Sequence, residues 1–302
     1  MSTLLQILLD DILPIFIVIG FGFLFVRRTQ TDMRAASRLT FFVLSPCLVF
    51  TSLIESDVAG SEIVQIAAFT ISITLIIGLI AFSATRIFRF DPRRTAAFLL
   101  ATMFVNAGNY GLGVNRLAFG AIAESRAVIY FVTSSIMVYT IGVTIARGGQ
   151  GGWRAMLTEL LHLPHIYALI AALIIRSINI QVPPPILHGL ELPAAAAIPM
   201  MLLLLGGQLA TLSVGEYWRP AFAASGISLI LAPIVAIGLA ALFGLSGATR
   251  QATILEASMP AAVIITIIAT EYDAEPKLVT ATVIVSTLLS PITLTLLIAM
   301  LK

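Results

Sequence analysis

A single carboxylate stands deep in an apolar run: Glu256, four residues before Pro260. Insertion scales assign about +2.5 to +3.5 kcal/mol to a charged acidic residue at the centre of a membrane helix, so something must offset that cost. A coupling ion such as Na+, a proton, or a network of donors would do so. A purely structural, hydrogen-bonded carboxyl is the other reading. A second cluster is Asn106-Ala-Gly-Asn-Tyr-Gly-Leu-Gly113. Its three glycines and two asparagines make poor material for an unbroken helix, and unwound backbone there would offer free amides and carbonyls. Close helix packing with interhelical asparagine bonds would use the same residues. Gly206-Gly207-Gln208 and Thr133-Ser134-Ser135 add polar atoms, with tight packing and self-bonded hydroxyls as their alternative. Glu159, His162 and His165 have a spacing that could suit a metal, but three loose ligands on one helix face near an interface fit a solvated cluster better, so no metal site is assigned. The sequence has no GxSxG, HExxH or CxxC, and Cys47 is the single cysteine. Those routes to enzyme chemistry, and an intrachain disulfide, are closed.

The elements that must position these residues are membrane helices. Of 302 residues 59% are hydrophobic and 11% charged, with mean hydropathy +1.04, whereas soluble domains carry about 25% charged residues. About 20 apolar residues cross a bilayer core as a helix, and irregular backbone in lipid is costly. Ten such segments are expected, at 4–25, 35–54, 63–84, 95–119, 125–146, 157–178, 193–213, 220–243, 249–270 and 278–301. The fold class is therefore an all-α membrane protein. The first segment lacks a basic start and a small-residue cleavage site, so it reads as a retained helix rather than a signal peptide. The pI near 8.9 reflects arginines beside the membrane and implies no nucleic-acid partner.

Ten arginines flank the loops after segments 1, 3 and 5, among them Arg27, Arg28, Arg93 and Arg147, against two, Arg116 and Arg126, around those after segments 2 and 4. This bias places the odd-numbered loops in the cytoplasm and both termini outside it. Arg94-Thr-Ala-Ala-Phe-Leu-Leu-Ala-Thr-Met103 aligns with Arg250-Gln-Ala-Thr-Ile-Leu-Glu-Ala-Ser-Met259 at an offset of 156, with five identities in ten. Leu13-Pro14 with Leu163-Pro164 and Pro46 with Pro199 recur at similar offsets. Two units of five helices, 1–146 and 154–302, joined by a glycine-rich linker at 147–153, would enter the membrane from opposite sides. Such inverted repeats are common in secondary transporters. In this register Pro260 falls opposite Phe104, so segments 4 and 9 are both expected to break at one depth, where paired interruptions point to a binding site.

Asn106-Ala-Gly-Asn-Tyr-Gly111, Ile198-Pro-Met-Met-Leu-Leu-Leu-Leu-Gly-Gly-Gln-Leu209 and Glu256-Ala-Ser-Met-Pro260 together resemble the auxin efflux carrier family of permeases in its short bacterial form. The resemblance implies a five-plus-five inverted repeat with broken, crossing helices 4 and 9, similar to the sodium–bile acid symporters. It implies a substrate beside the crossing: an organic anion, auxin-like or a dicarboxylate. The expected substrate-binding residues are Asn106, Gly108, Asn109, Tyr110, Gln208 and Pro260; Glu256 is expected to bind a coupling ion or proton with Thr133, Ser134 or Asn106 as companions. After Pro260 the chain runs Ala-Ala-Val-Ile-Ile where many relatives place asparagine, which concentrates the substrate role on Asn106 and Asn109. No cofactor is expected beyond a coupling Na+ or H+, the bilayer is the surrounding partner, and a homodimer stays open. A sodium-coupled symporter of the bile acid type and a non-transporting membrane sensor are the alternatives.

Overall fold

The computed structural model describes residues 3–149, 153–213 and 215–302. The expected linker falls partly on residues 150–152, outside the described residues. Among those described, the chain is helical with no strand. The helices are α1 (Thr3–Thr29), α2 (Arg34–Ile54), α3 (Gly60–Ile87), α4 (Pro92–Met103), α5 (Ala107–Ala146), α6 (Trp153–Leu161), α7 (Pro164–Ser177), α8 (Pro184–Leu209), α9 (Trp218–Leu242), α10 (Gly247–Ala257), α11 (Ile264–Glu271) and α12 (Pro276–Leu301). Seven of them, α1, α2, α3, α5, α8, α9 and α12, are long and apolar enough to cross a membrane.

Prolines open α4, α7, α8 and α12, where a missing amide hydrogen costs nothing. Asp91 caps α4 by accepting from the Arg94 backbone amide at 3.0 Å. The 40 residues of α5 cover two expected segments, and Gly120, at φ +81° and ψ −172°, turns the chain between them. Only glycine adopts such angles without strain. The expected sixth segment is divided at Leu163-Pro164 into α6 and α7, because proline cannot continue the preceding helix.

α1 packs on α8 and α2 on α7; α3 packs on α4 and α9 on α10; α5 packs on α10 and α12 on α4. Gly206 lets α8 touch α1 closely, since a Cβ there would strike the backbone at Ile19. The Gly206 signal is thus one of packing.

The breaks between α4 and α5 and between α10 and α11 meet at the centre of this bundle. Val105 and Ala261 form an isolated antiparallel bridge, in which the Asn106 amide donates to the Pro260 carbonyl at 2.8 Å and the Ala262 amide donates to that of Phe104 at 2.9 Å. The Ala261 amide finds the Ser286 hydroxyl at 3.1 Å. Each helix end supplies partners the other lacks, which lets extended backbone sit among apolar helices.

Two groups of polar links join the ends of the helices. Arg126 binds Glu62 and Asp57, Glu62 also accepts from Thr249, and Arg176 donates to the Leu53 and Val58 carbonyls. In the other group Arg147 binds Glu159 and Tyr272, and Arg93 binds Asp273.

Candidate functional site at the helix crossing

Beside the bridge lies a cavity of about 380 Å³. Three π-helical turns shape its walls: Thr40–Leu44 in α2, Ala107–Gly111 at the start of α5 and Val138–Gly142 further along it. An inserted residue re-aims the side chains of a helix, and such turns are frequent at functional sites. Phe41, Phe42, Phe131, Met201, Leu204 and Ile267 give the cavity an apolar body.

Polar groups enter from four elements. Asn106, Gly108 and Asn109 come from the crossing, Gln208 from α8, Ser134 and Ser135 from α5, and Arg38 and Ser45 from α2. Three of these carry buried atoms without a hydrogen-bond partner: Asn106 Nδ2, Gln208 Oε1 and Ser45 Oγ. All three residues line the cavity, and unpaired buried polar atoms are what a polar ligand would satisfy. Among the described residues no carboxylate lines the cavity, and the exposed Arg38 has no acidic partner. The first residues of α5 and of α11 (Ala107 and Ile264) also face it, so two positive helix ends converge there. Such a lining is compatible with an anion held in an apolar surround.

Asn106, Gly108, Asn109, Ser134 and Gln208 are thus brought together. Tyr110 turns away: fully buried, its hydroxyl sits 3.0 Å from Ser290 Oγ and its ring packs edge-on against Phe16. Pro260 commits its carbonyl to Asn106 and lies outside the cavity lining. Thr133 returns its hydroxyl to the Ile129 carbonyl at 2.9 Å. Glu256 also lies outside the lining. Its side chain is wholly buried between α10 and α5, where Asn115 Nδ2 donates to Oε1 at 2.9 Å, Oε2 has no partner, and a Cβ on Gly111 would strike the carboxylate. Asn115, rather than Thr133, Ser134 or Asn106, is its companion. The Glu159, His162 and His165 set is dispersed: Glu159 pairs with Arg147 at 3.1 Å, His162 Nδ1 meets the Thr158 carbonyl at 2.7 Å, and His165 lies beyond the proline break. Two further lining residues carry no local sequence signal of a site: Arg38 is one of the ten loop-flanking arginines, and Ser45 stands next to the repeat landmark Pro46.

The arrangement defines a multi-pass helical membrane protein with an anion-compatible cavity at a broken-helix crossing. The chain belongs to the membrane transport protein family, the family of the auxin efflux carriers, whose sequence profile matches residues 7–298. It is similar to an uncharacterized transporter of Methanothermobacter thermautotrophicus, at 27% identity over 98% of this chain and 95% of the relative. A second uncharacterized transporter, from Methanocaldococcus jannaschii, is 22% identical over 93% of this chain and 95% of its own length.

Proposed function

We propose that this membrane transporter is a secondary carrier of a small organic anion, working by alternating access in the cytoplasmic membrane. The carrying observation is the cavity at the crossing, where, among the described residues, Asn106 Nδ2 is unpaired, Arg38 has no counter-charge and no carboxylate lines the wall. A carboxylate would supply the missing acceptor, and the apolar walls would hold its carbon skeleton.

Ten crossings arranged as five plus five, with units 1–146 and 154–302, underlie this reading. Helix contacts support it, because exchanging the units turns α1 on α8 into α7 on α2, α3 on α4 into α9 on α10, and α12 on α4 into α5 on α10. The bridge supports it too: Val105 and Ala261 are separated by the repeat offset of 156, and their two flanking hydrogen bonds exchange under a local two-fold. Polar links join even-numbered loops to even (Arg126 with Glu62) and odd to odd (Arg147 with Tyr272), as alternating crossings require. With the arginine-rich side in the cytoplasm, both termini lie outside and the Arg38 end of the cavity faces inward.

Glu256 serves in this proposal as the coupling group, neutralised by a proton or a cation in the loaded state, since a bare carboxylate in that setting is expensive. The test is uptake into proteoliposomes of a panel of radiolabelled carboxylates, under imposed proton, sodium and voltage gradients in turn. Saturable uptake of one class, with a strongly weakened apparent affinity in Asn106→Ala, is the expected result. Failure of every carboxylate to enter, with a cation or neutral solute entering instead, would overturn the anion assignment.

A further inference from the structure

Behind one wall of the cavity sits a polar group that the proposed function leaves unused. His165, on the first turn of α7, is completely buried, and neither ring nitrogen has a hydrogen-bond partner among the described residues. Buried polar groups in native proteins are nearly always paired, and an orphan calls for a ligand or another specific reason. The break at Leu163-Pro164 fixes the place of the imidazole, because Pro164 opens α7 and sets the residue after it against α2 and α5.

Two phenyl rings that line the cavity pack against this imidazole. Phe41 meets it edge-on with ring centroids 5.3 Å apart, Phe131 lies tilted at 5.2 Å, and both rings line the cavity. Phe41 belongs to the π-helical turn Thr40–Leu44, and Phe131 packs over Gly108, where a Cβ would collide with the ring.

We propose that His165 is a second, occluded hydrogen-bonding subsite of this cavity, exposed when Phe41 and Phe131 swing aside, which selects anions carrying a further polar group beyond the one held at Asn106. The inference rests on the anion-carrier reading. In either neutral tautomer an imidazole presents one donor and one acceptor, so a hydroxyl satisfies it and a methyl group does not. A site built to bond a polar group rejects the analogue lacking it far more strongly than an apolar pocket discriminates by size. The preference is therefore for a polar second end, whatever the charge of that end.

The experiment compares 5-hydroxypentanoate with hexanoate, which differ by a hydroxyl in place of a methyl, binding to the purified full chain in nanodiscs. The parent is expected to prefer the hydroxy acid at least tenfold. His165→Leu should bring the two affinities within about twofold while keeping that for hexanoate, and His165→Gln should retain part of the preference. In [15N]histidine-labelled parent protein, the His165 signal, identified by its loss in His165→Gln, should move with the hydroxy acid and stay still with hexanoate. No preference in the parent, an undiminished preference in His165→Leu, or an unmoved signal overturns the proposal even if the leucine variant does not fold. If neither acid, nor any member of a wider carboxylate panel, binds the parent, the anion-carrier reading itself fails and takes this one with it.

Discussion

Asn106 does two jobs with separate atoms. Its backbone amide closes the bridge to Pro260, while its side-chain amide is left without a partner at the cavity wall. Asn106→Ala keeps the first and deletes the second. Hydrogen bonds to charged groups contribute about 1.5 to 3 kcal/mol, so binding of the carried carboxylate should weaken about 10- to 150-fold with little change in melting temperature. Calorimetric titration checks this; unchanged affinity would move the site elsewhere along the cavity. Glu256→Gln imitates a protonated carboxyl with little change in shape. Its transport should lose the response to the proton or sodium gradient while anion exchange survives, and a response like that of the parent would leave Glu256 a structural residue. These positions were legible because polar residues stand out in apolar sequence. Their partners were less so, since Asn115 reaches Glu256 across 141 positions of chain and only the packing of α10 on α5 brings them together. Arg38 was hidden for a related reason: a loop-flanking arginine looks like any other until α2 is placed against the crossing.

Breaks and locks belong to the scale of helices. The pairing of the α4 and α10 ends could be expected from Pro260 and the repeat register, yet α4 stops at Phe104 with no proline or glycine at its end; the partner's backbone completes the stop. Propensity is local, whereas this interruption is stabilised by a bridge between distant segments. The division at Leu163-Pro164 carried a local signal, the proline itself. At the opposite side of the bundle from Arg147, the Arg126 side chain, only 9% exposed, holds Glu62 at 3.0 Å, and Thr249 at the start of α10 donates to the same carboxylate. Removing one partner of a buried pair leaves the other charge uncompensated, at about 3 to 5 kcal/mol. Arg126→Met should therefore lower thermal stability in detergent markedly, and adding Glu62→Gln should restore part of the loss. Asp57→Asn should change little, because Asp57 is 81% exposed and an exposed ion pair contributes about 0 to 1 kcal/mol. Equal losses from Arg126→Met and Asp57→Asn would show that burial does not set the strength of this cluster.

For the molecule as a whole, the decisive quantity is the number of crossings. If only the seven long apolar helices span the membrane, the chain reaches Lys277 on the same side as Ala59; if α7 and the broken pairs α4 with α5 and α10 with α11 also cross, Lys277 lies on the opposite side. The ten-crossing arrangement requires the second result, and with the arginine bias it puts Ala59 and Ile180 outside and Phe88 and Lys277 inside. All four positions are exposed, whereas the neighbouring Val58 is buried and would make a poor reporter. Single cysteines at the four sites, in a Cys47→Ala background, should react with an impermeant maleimide in two classes. Cysteines replacing Ala59 and Ile180 should label in intact cells, and those replacing Phe88 and Lys277 only after permeabilisation. Labelling of the Lys277→Cys variant from outside would remove the inverted repeat. The local two-fold at the Val105 and Ala261 bridge would then be a coincidence of packing, and alternating access would lose the symmetry on which it is argued. Labelling in the two expected classes would leave the crossing buried between oppositely entering halves, where an anion held at Asn106 can be handed from one face to the other by rocking one set of helices against the rest.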